Sequence, residues 1–455
     1  WRHPLAAAQD FLRWRRIIRK IRPDIIHSNA FLLHRVFALA AASCRVPFVS
    51  HVHFPADAPA IRWSCRFLPK PRGYIFVSRP LRDAVWPALC RYCAGARDFI
   101  VHNAVNTDTF TLAPWPEDAP IRIGIIGNLV PIKRHADFLR MAAEIRQTGL
   151  QAEFWVIGAD TEGRGHGEKI FRLAAELGLG LDVHFMGHRS DVAALISQLH
   201  LLVLTSEYES FGRVLIEAMA RGRPVLATRT GGIPEVVRDG ETGYLFDVGD
   251  YHGMAQAALA LLADRPRWER MSQAAAVDAR TRFSLDQHTR QIIDVYEQTI
   301  TKKVRPPRMR TCLLVNNSPE PGRGERAKLG GGGHSLLGLV QALPELGWQC
   351  HVVVPADGPL TQELRNRCIP HTIFPYEDPD WRHPLRAARQ FFHWLKIIRA
   401  TRADLMFRAE QLMLDDSPCV PVVFGTSKNL IDPRIQGFNP NLEDIHRTRW
   451  MSIKA

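Results

Sequence analysis

Two glutamates eight residues apart, Glu209 and Glu217, flank Ser210-Phe211-Gly212, where an apolar run Leu201-Leu202-Val203-Leu204 gives way to Val214-Leu215-Ile216-Glu217-Ala218-Met219-Ala220. The first run has the length of a buried strand and the second reads as a helix, so the residues between form a strand-to-helix turn. A helix mouth of this kind presents unpaired N–H groups and a partial positive charge, and Gly212 puts no side chain in the way. A diphosphate suits that place. Carboxylates only accept hydrogen bonds, so Glu209 in the turn and Glu217, about two helical turns inside, suit the hydroxyls of a sugar or ribose rather than its phosphates. A cation for the same ligand stands earlier in the chain. Gly127-Asn128-Leu129-Val130-Pro131-Ile132-Lys133 follows the apolar stretch Ile121–Ile126 and leads into a helix starting near Arg134, which predicts Lys133 beside a phosphate held at a helix terminus.

The elements that position these residues alternate strand and helix. From Asp24 the pattern predicts strands over 24–28, 47–53, 74–78 and 99–105, with helices over 30–43 and 81–89 between them. A proline-bearing linker from Thr111 to Pro120 follows, and a second series opens at Ile121 with strands near 154–157, 183–186, 201–204 and 224–227. Such alternation implies parallel sheets covered on both faces, hence an α/β chain of two Rossmann-like domains with the active cleft between them. A third stretch, 308–380, reads as the opening of such a domain. It predicts a strand over 311–315, a glycine run 330–333, a helix over 336–346, a strand over 351–354, a helix over 360–367 and a strand over 371–374.

With 455 residues the chain is too long for one ordinary core, and 46% hydrophobic with 23% charged residues excludes disorder as its main state. The net charge of +13 favours an anionic partner: a nucleoside diphosphate, a nucleic acid, or the anionic inner leaflet of a membrane. No zinc-finger pattern, aromatic RNA-binding signature or long basic tail supports nucleic acid. The most apolar segment, Phe31 to Ser50, is interrupted by His34, Arg35 and Arg45, so no membrane span is predicted. No secretory signal is visible, and a start at Trp1 without methionine implies a missing N-terminal segment. The eight cysteines are scattered, and Cys90-Arg91-Tyr92-Cys93 lacks a second pair, which reads as reduced cytosolic thiols.

A repeat marks both ends. Trp1-Arg2-His3-Pro4-Leu5 recurs as Trp381-Arg382-His383-Pro384-Leu385, and the likeness continues through Phe11 and Phe391, Trp14 and Trp394, Ile17-Ile18-Arg19 and Ile397-Ile398-Arg399, to Asp24 and Asp404. The offset of 380 positions is far longer than any solenoid unit, so the repeat is not a small stacked module.

The spacing Glu209-x7-Glu217, with Ser210-Phe211-Gly212 inside it and Gly231-Gly232-Ile233-Pro234-Glu235 after it, resembles the donor site of family 4 glycosyltransferases, retaining enzymes of GT-B architecture. The resemblance implies two Rossmann-like domains facing across a cleft, and a sugar moved from a UDP- or GDP-linked donor to an acceptor hydroxyl without metal or cofactor. It implies that Lys133 and the helix starting near Phe211 hold the diphosphate, with Ser210, Phe211, Gly212, Asn128 and Gly187 in the donor site. It also places Glu217 on the ribose and Glu209 on the sugar. His53, ending the stretch Pro47-Phe48-Val49-Ser50-His51-Val52-His53, matches the family's strand-end histidine near the transferred sugar; His51 is the weaker candidate. Gly330-Gly331 resembles the paired glycines after the family's first strand, where bare backbone approaches donor or acceptor. The family usually has arginine where this chain has Asn128, so one of two expected cations is replaced by a neutral group, with Arg134 or Arg213 as possible compensation. Asp378-Pro379-Asp380 has the letters of a metal-binding motif in the setting of a turn.

The repeat length is close to one whole enzyme of this family, so the chain opens partway through a unit. Either it is a truncated tandem, or it is a circular rearrangement in which 308–380 completes the N-terminal domain of the same molecule; intramolecular completion is the expected folded outcome. The domains then run as 1–110, the later part of the N-terminal domain; 121–286, the donor-binding domain; 287–304, a helix returning to the N-terminal domain; 308–380, that domain's opening; and 381–455, a duplicated helix and unassigned tail. Trp1 to Arg22, rich in Arg, Lys, Trp and Ile, packs on the sheet or lies on an anionic membrane through its basic face. The implied setting is cytoplasmic, with possible peripheral attachment to the inner face of the membrane, and a glycan or lipid-linked acceptor in cell-surface polysaccharide or glycolipid synthesis. The rival reading is an inactive scaffold or membrane-binding relic of a duplicated enzyme.

Overall fold

A computed structural model of the chain describes residues 4–31, 33–56, 59, 61–62, 65, 68–117, 120–160, 165–300, 310–316, 331–374, 435–436 and 452–453. By its contacts the chain divides into a large body, Ala7–Asp378, and a small one made of Trp1–Ala6 with Pro379–Ala455. The described part of the small body includes a short antiparallel ladder, Ile435–Gln436 with Ser452–Ile453. The second copy of the repeated helix, the Asp378-Pro379-Asp380 motif and Gly330 lie outside the described residues.

The large body is built on strands β1 (Ile25–Ser28), β2 (Phe48–Val52), β3 (Gly73–Phe76), β4 (Arg97–Ile100), β5 (Ile121–Ile126), β6 (Ala152–Ile157), β7 (Val183–Gly187), β8 (Leu201–Leu204), β9 (Val225–Thr228), β10 (Gly243–Phe246), β11 (Arg310–Val315), β12 (Trp348–Val354) and β13 (His371–Ile373). They form a seven-stranded sheet in the order β13-β12-β11-β1-β2-β3-β4 and a six-stranded sheet in the order β10-β9-β8-β5-β6-β7. Every pairing in both sheets is parallel. Parallel strands need both faces covered, and β1, β2, β3, β8 and β9 are buried at every position.

In the first sheet β11 lies between β12 and β1, with Ile25 opposite Cys312 and Ser28 opposite Val315. One face of this sheet is packed by Ile292, Val295 and Tyr296 of the helix Leu285–Thr299 and by Leu336, Leu339 and Val340 of the helix Gly331–Ala342. The helix after the second sheet therefore returns to the first. The opposite face carries Trp14 and Ile18 of the helix Pro4–Ile21, with Trp14 wholly buried and its ring 5.3 Å from that of Phe374. Arg13, Arg16 and Arg19 of this helix are exposed.

Several boundaries differ from those the sequence predicts. The stretch 30–43 folds as a 3-10 turn, Leu33–Val36, and a short helix, Ala38–Ser43, joined at Phe37 with φ −124°. Leu33, His34, Arg35, Val36 and Phe37 are all buried, so no exposed face enforces a helical period there. The strand expected over 99–105 is Arg97–Ile100, and Val105 instead bridges to Ser284 at the cap of the returning helix. The helix expected from Leu336 begins five residues earlier, so the end of the glycine run is helical, and Gly331 opens it.

Candidate active site

The order of the second sheet fixes where its site lies. From β5 the chain moves outward to β6 and β7, then crosses back to β8 on the other side and moves outward again to β9 and β10. The crevice beyond the carboxyl ends of β5 and β8 is thus the point at which the winding reverses, where ligands bind in open α/β sheets. The loops that leave those two ends carry Gly127 to Lys133 and Thr205 to Gly212.

Backbone and side-chain bonds tie the two loops together. Glu207 N–H donates to Ile132 O at 2.8 Å, and the Thr205 hydroxyl donates to Lys133 O at 2.9 Å and to Arg134 O at 3.0 Å. Lys133 ends a short 3-10 turn, Pro131–Lys133, and Arg134 takes a left-handed φ of 50° before the helix His135–Gln147 begins. That turn brings the Lys133 ammonium onto the Glu209 carboxylate, which also accepts from the Ser206 hydroxyl at 3.1 Å. The expected phosphate cation and the expected sugar-binding carboxylate therefore meet as an ion pair in this structure.

The helix Arg213–Ala220 opens behind Gly212, whose φ is +83°. Ser210 and Phe211 are buried. The Phe211 ring stands 5.5 Å from the His102 ring and 5.7 Å from that of Phe283, so its side chain joins the packing and leaves its backbone for a ligand at the helix mouth. Glu217 pairs with Arg213 at 3.1 Å. Burial pushes the Glu217 carboxyl above its usual range, and the Arg213 charge opposes that shift. Arg134 donates to Asp137 at 2.6 Å, so both arginines considered as compensation for Asn128 already hold carboxylates. Asn128 itself is exposed beside the Gly127 loop. Gly187 ends β7 with φ +61°, and its carbonyl accepts from Gly158 N–H at 2.8 Å.

The first sheet reaches the same region through residues that spacing alone did not single out. Ser78 caps the helix Arg79–Tyr92, accepting from Leu81 N–H at 3.4 Å, while its hydroxyl donates to Ser210 O at 2.6 Å. Glu235 of the Gly231-Gly232 turn accepts from Arg79 N–H at 2.9 Å and lies 2.7 Å from His102 Nε2. The sequence offered Glu235 as a motif member without a partner. Ser78 stands in the sequence only as the last residue of the strand predicted over 74–78. Ser78→Ala is expected to lower unfolding free energy by about 1–2 kcal/mol, for the lost cap and the buried carbonyl left unbonded; a urea titration of the purified chain checks this.

His53 lies just beyond β2, its Nε2 3.4 Å from Asn29 Oδ1 and its ring stacked on that of His51 at 4.3 Å. His51 is buried, and its ring stands 5.4 Å from that of His27, whose Nδ1 lies 2.7 Å from the Tyr296 hydroxyl. Desolvation by burial pushes His53 down to about 4, with a hydrogen bond to the Asn29 backbone opposing and His288 adding to the shift.

Solved structures place this architecture. That of HepE from Anabaena in complex with UDP-glucose overlays with a TM-score of 0.56 at 22% identity, covering 63% of this chain and 82% of that one. Two Rossmann-like lobes of this arrangement define the GT-B fold. Among curated sequences, D-inositol 3-phosphate glycosyltransferase of Mycobacterium avium is 30% identical over 303 residues, 61% of this chain and 70% of that protein. N-acetyl-alpha-D-glucosaminyl L-malate synthase of Bacillus anthracis is 37% identical over 171 residues, 38% of this chain, which thus spans 44% of that relative's length. The family described as Glycosyltransferase Family 4 matches residues 2–109, and that described as Glycosyl transferases group 1 matches residues 113–278. The chain belongs to the family 4 glycosyltransferases. Among the described residues no helix is long and apolar enough to cross a membrane.

Proposed function

We propose that this glycosyltransferase takes its sugar from a UDP- or GDP-linked donor and transfers it to an acceptor hydroxyl with retention of anomeric configuration, without a metal. The observation that carries the reading is the meeting of Lys133 and Glu209 at the crevice between β5 and β8, one turn before the helix that holds Glu217. A donor laid across that crevice puts its diphosphate at the mouth of the Arg213–Ala220 helix and its ribose near Glu217. Its sugar then reaches Glu209, and Lys133 exchanges one carboxylate oxygen for the phosphates.

In the transfer the acceptor oxygen bonds to the anomeric carbon while the bond from that carbon to the phosphate oxygen breaks, its electron pair leaving on the diphosphate. Retention brings the acceptor in on the face the diphosphate vacates, so a phosphate oxygen is the near base for the hydroxyl proton. Lys133 and the helix N–H groups offset the charge that develops on the departing group, and His53 lines the reacting face. The HepE structure of Anabaena in complex with UDP-glucose supports a nucleotide-sugar donor, and the D-inositol 3-phosphate glycosyltransferase of Mycobacterium avium supports a hydroxyl-bearing acceptor. A role in cell-surface polysaccharide or glycolipid synthesis, on the cytoplasmic side and with peripheral membrane contact through Arg13, Arg16 and Arg19, is the setting we propose.

The test is incubation of the purified chain with a panel of UDP- and GDP-sugars, reading bound donor by mass spectrometry and released nucleotide by chromatography. Binding and slow hydrolysis of one donor are expected. If every UDP- and GDP-sugar fails to bind, the reading falls.

A further inference from the structure

The first sheet has its own reversal point, between β11 and β1, because from β11 the chain runs outward to β12 and β13 while β1 leads the other way to β2, β3 and β4. Each strand at that point is followed by an asparagine. Val315 lies opposite Ser28 in register, and the next residues are Asn316 and Asn29, both buried. Their backbones are pinned: Asn29 N–H donates to Val315 O at 3.0 Å, and Asn316 N–H donates to Val353 O at 3.0 Å. Their side chains form a row, with Asn29 Nδ2 donating to Asn316 Oδ1 at 2.9 Å and Asn29 Oδ1 facing His53 Nε2 at 3.4 Å.

An amide has one donor end and one acceptor end. Once Asn316 Oδ1 takes the NH2 end of Asn29, the end turned to His53 is an acceptor, which a protonated Nε2 complements and a bare Nε2 does not. Stacking on His51 at 4.3 Å and an interplanar angle of 24° restrains the plane of the ring but not which nitrogen carries the proton. The amide row supplies that choice.

We infer that Asn29 and Asn316 are positioning residues that hold His53 as the neutral Nε2–H tautomer, so that Nδ1 is the lone-pair nitrogen with which His53 accepts a hydrogen bond from a substrate hydroxyl. The inference rests on the placement of His53 at the reacting face proposed above; the tautomer itself does not depend on turnover. Among the described residues, His51 and His27 from the sheet and His288 from the returning helix act on His53, and none of these three supplies a negative charge. Tyr296, bonded to His27, completes that side.

The experiment is long-range proton–nitrogen NMR on the full chain with 15N-labelled histidine at pH 7.5, with the His53 signals assigned by their loss in His53→Gln. The expected result is a protonated, pyrrole-type Nε2 and a bare, pyridine-type Nδ1. In Asn29→Leu the two signals are expected to move toward their tautomer-averaged positions. Asn29→Asp keeps an acceptor beside Nε2–H and adds a charge that favours the imidazolium. Its His53 midpoint is expected to rise by about one to three units, so that the neutral ring is lost from a higher pH than in the parent. With a hydrolysed donor in hand, Asn29→Leu lowers kcat about tenfold while donor KM stays within about twofold. A proton on Nδ1 in the parent chain, or unmoved His53 signals in Asn29→Leu, overturns the inference. A correct tautomer in a chain that binds no UDP- or GDP-sugar overturns the transfer reading instead and leaves the amide row standing.

Discussion

Lys133→Ala is expected to release nucleoside diphosphate about a hundredfold more slowly than the parent, with its fold intact. A preorganised donor aimed at charge that appears on the leaving group is worth roughly 3 kcal/mol, and each 1.36 kcal/mol is about a factor of ten in rate. The side chain is partly exposed and its removal opens no cavity in the core. Glu209 keeps its bond from Ser206, so the turn retains one anchor. The loss is expected mainly in kcat, because the charge Lys133 meets is larger in the transition state than in the bound donor. Circular dichroism and a urea midpoint close to the parent's complete the measurement, and an unchanged rate removes Lys133 from the mechanism.

Gly231→Ala has a comparably large effect by a different route. Gly231 has φ +49°, and a Cβ built there would stand 2.0 Å from the Glu209 carbonyl oxygen. That carbonyl accepts from Gly232 N–H at 2.8 Å, so neither side of the contact can retreat without opening the turn. A left-handed backbone with a side chain costs about 1–3 kcal/mol, and the overlap with backbone adds to it. The variant is expected to lose at least about 3 kcal/mol of stability and most of its donor release, since the displaced residue is Glu209. Gly149 provides the control: it has φ +84° but nothing within 4 Å of an added Cβ. Gly149→Ala is expected to cost about 1 kcal/mol and to leave donor release at the parental rate.

The parts of the fold most legible in the sequence were those buried on both faces. Strand β8 stands where Leu201–Leu204 predicts it, because a continuous apolar run of that length between turn residues has few other uses, and β5 stands at Ile121–Ile126, whose centre is buried. The GT-B class followed from that alternation and from the Glu209 to Glu217 motif together. The stretch 30–43 was less legible, since a segment enclosed by protein has no polar face to reveal its period.

At the site, the sequence assigns Lys133 and Glu209 to separate parts of the ligand and the structure sets them on one another, a contact between positions 76 residues apart that loop geometry decides. The same holds for Ser78 on Ser210 and Glu235 on Arg79 and His102. In the sequence Ser78 only closes a predicted strand and Glu235 only ends a glycine-proline motif. The Asn29 to Asn316 bond joins positions 287 apart, and only the register of β11 on β1 brings them to one edge.

That register also sets an order of events during synthesis. The interior strand β11 of the first sheet is the eleventh to leave the ribosome, whereas all six strands of the other sheet precede it. The donor-side lobe is therefore made before β11 is there to pair with β1, and a strand edge left without its partner invites mispairing with neighbouring chains. A chaperone that shields Ile25–Ser28 until Val315 emerges would be expected to raise the yield of active protein more than one acting after release.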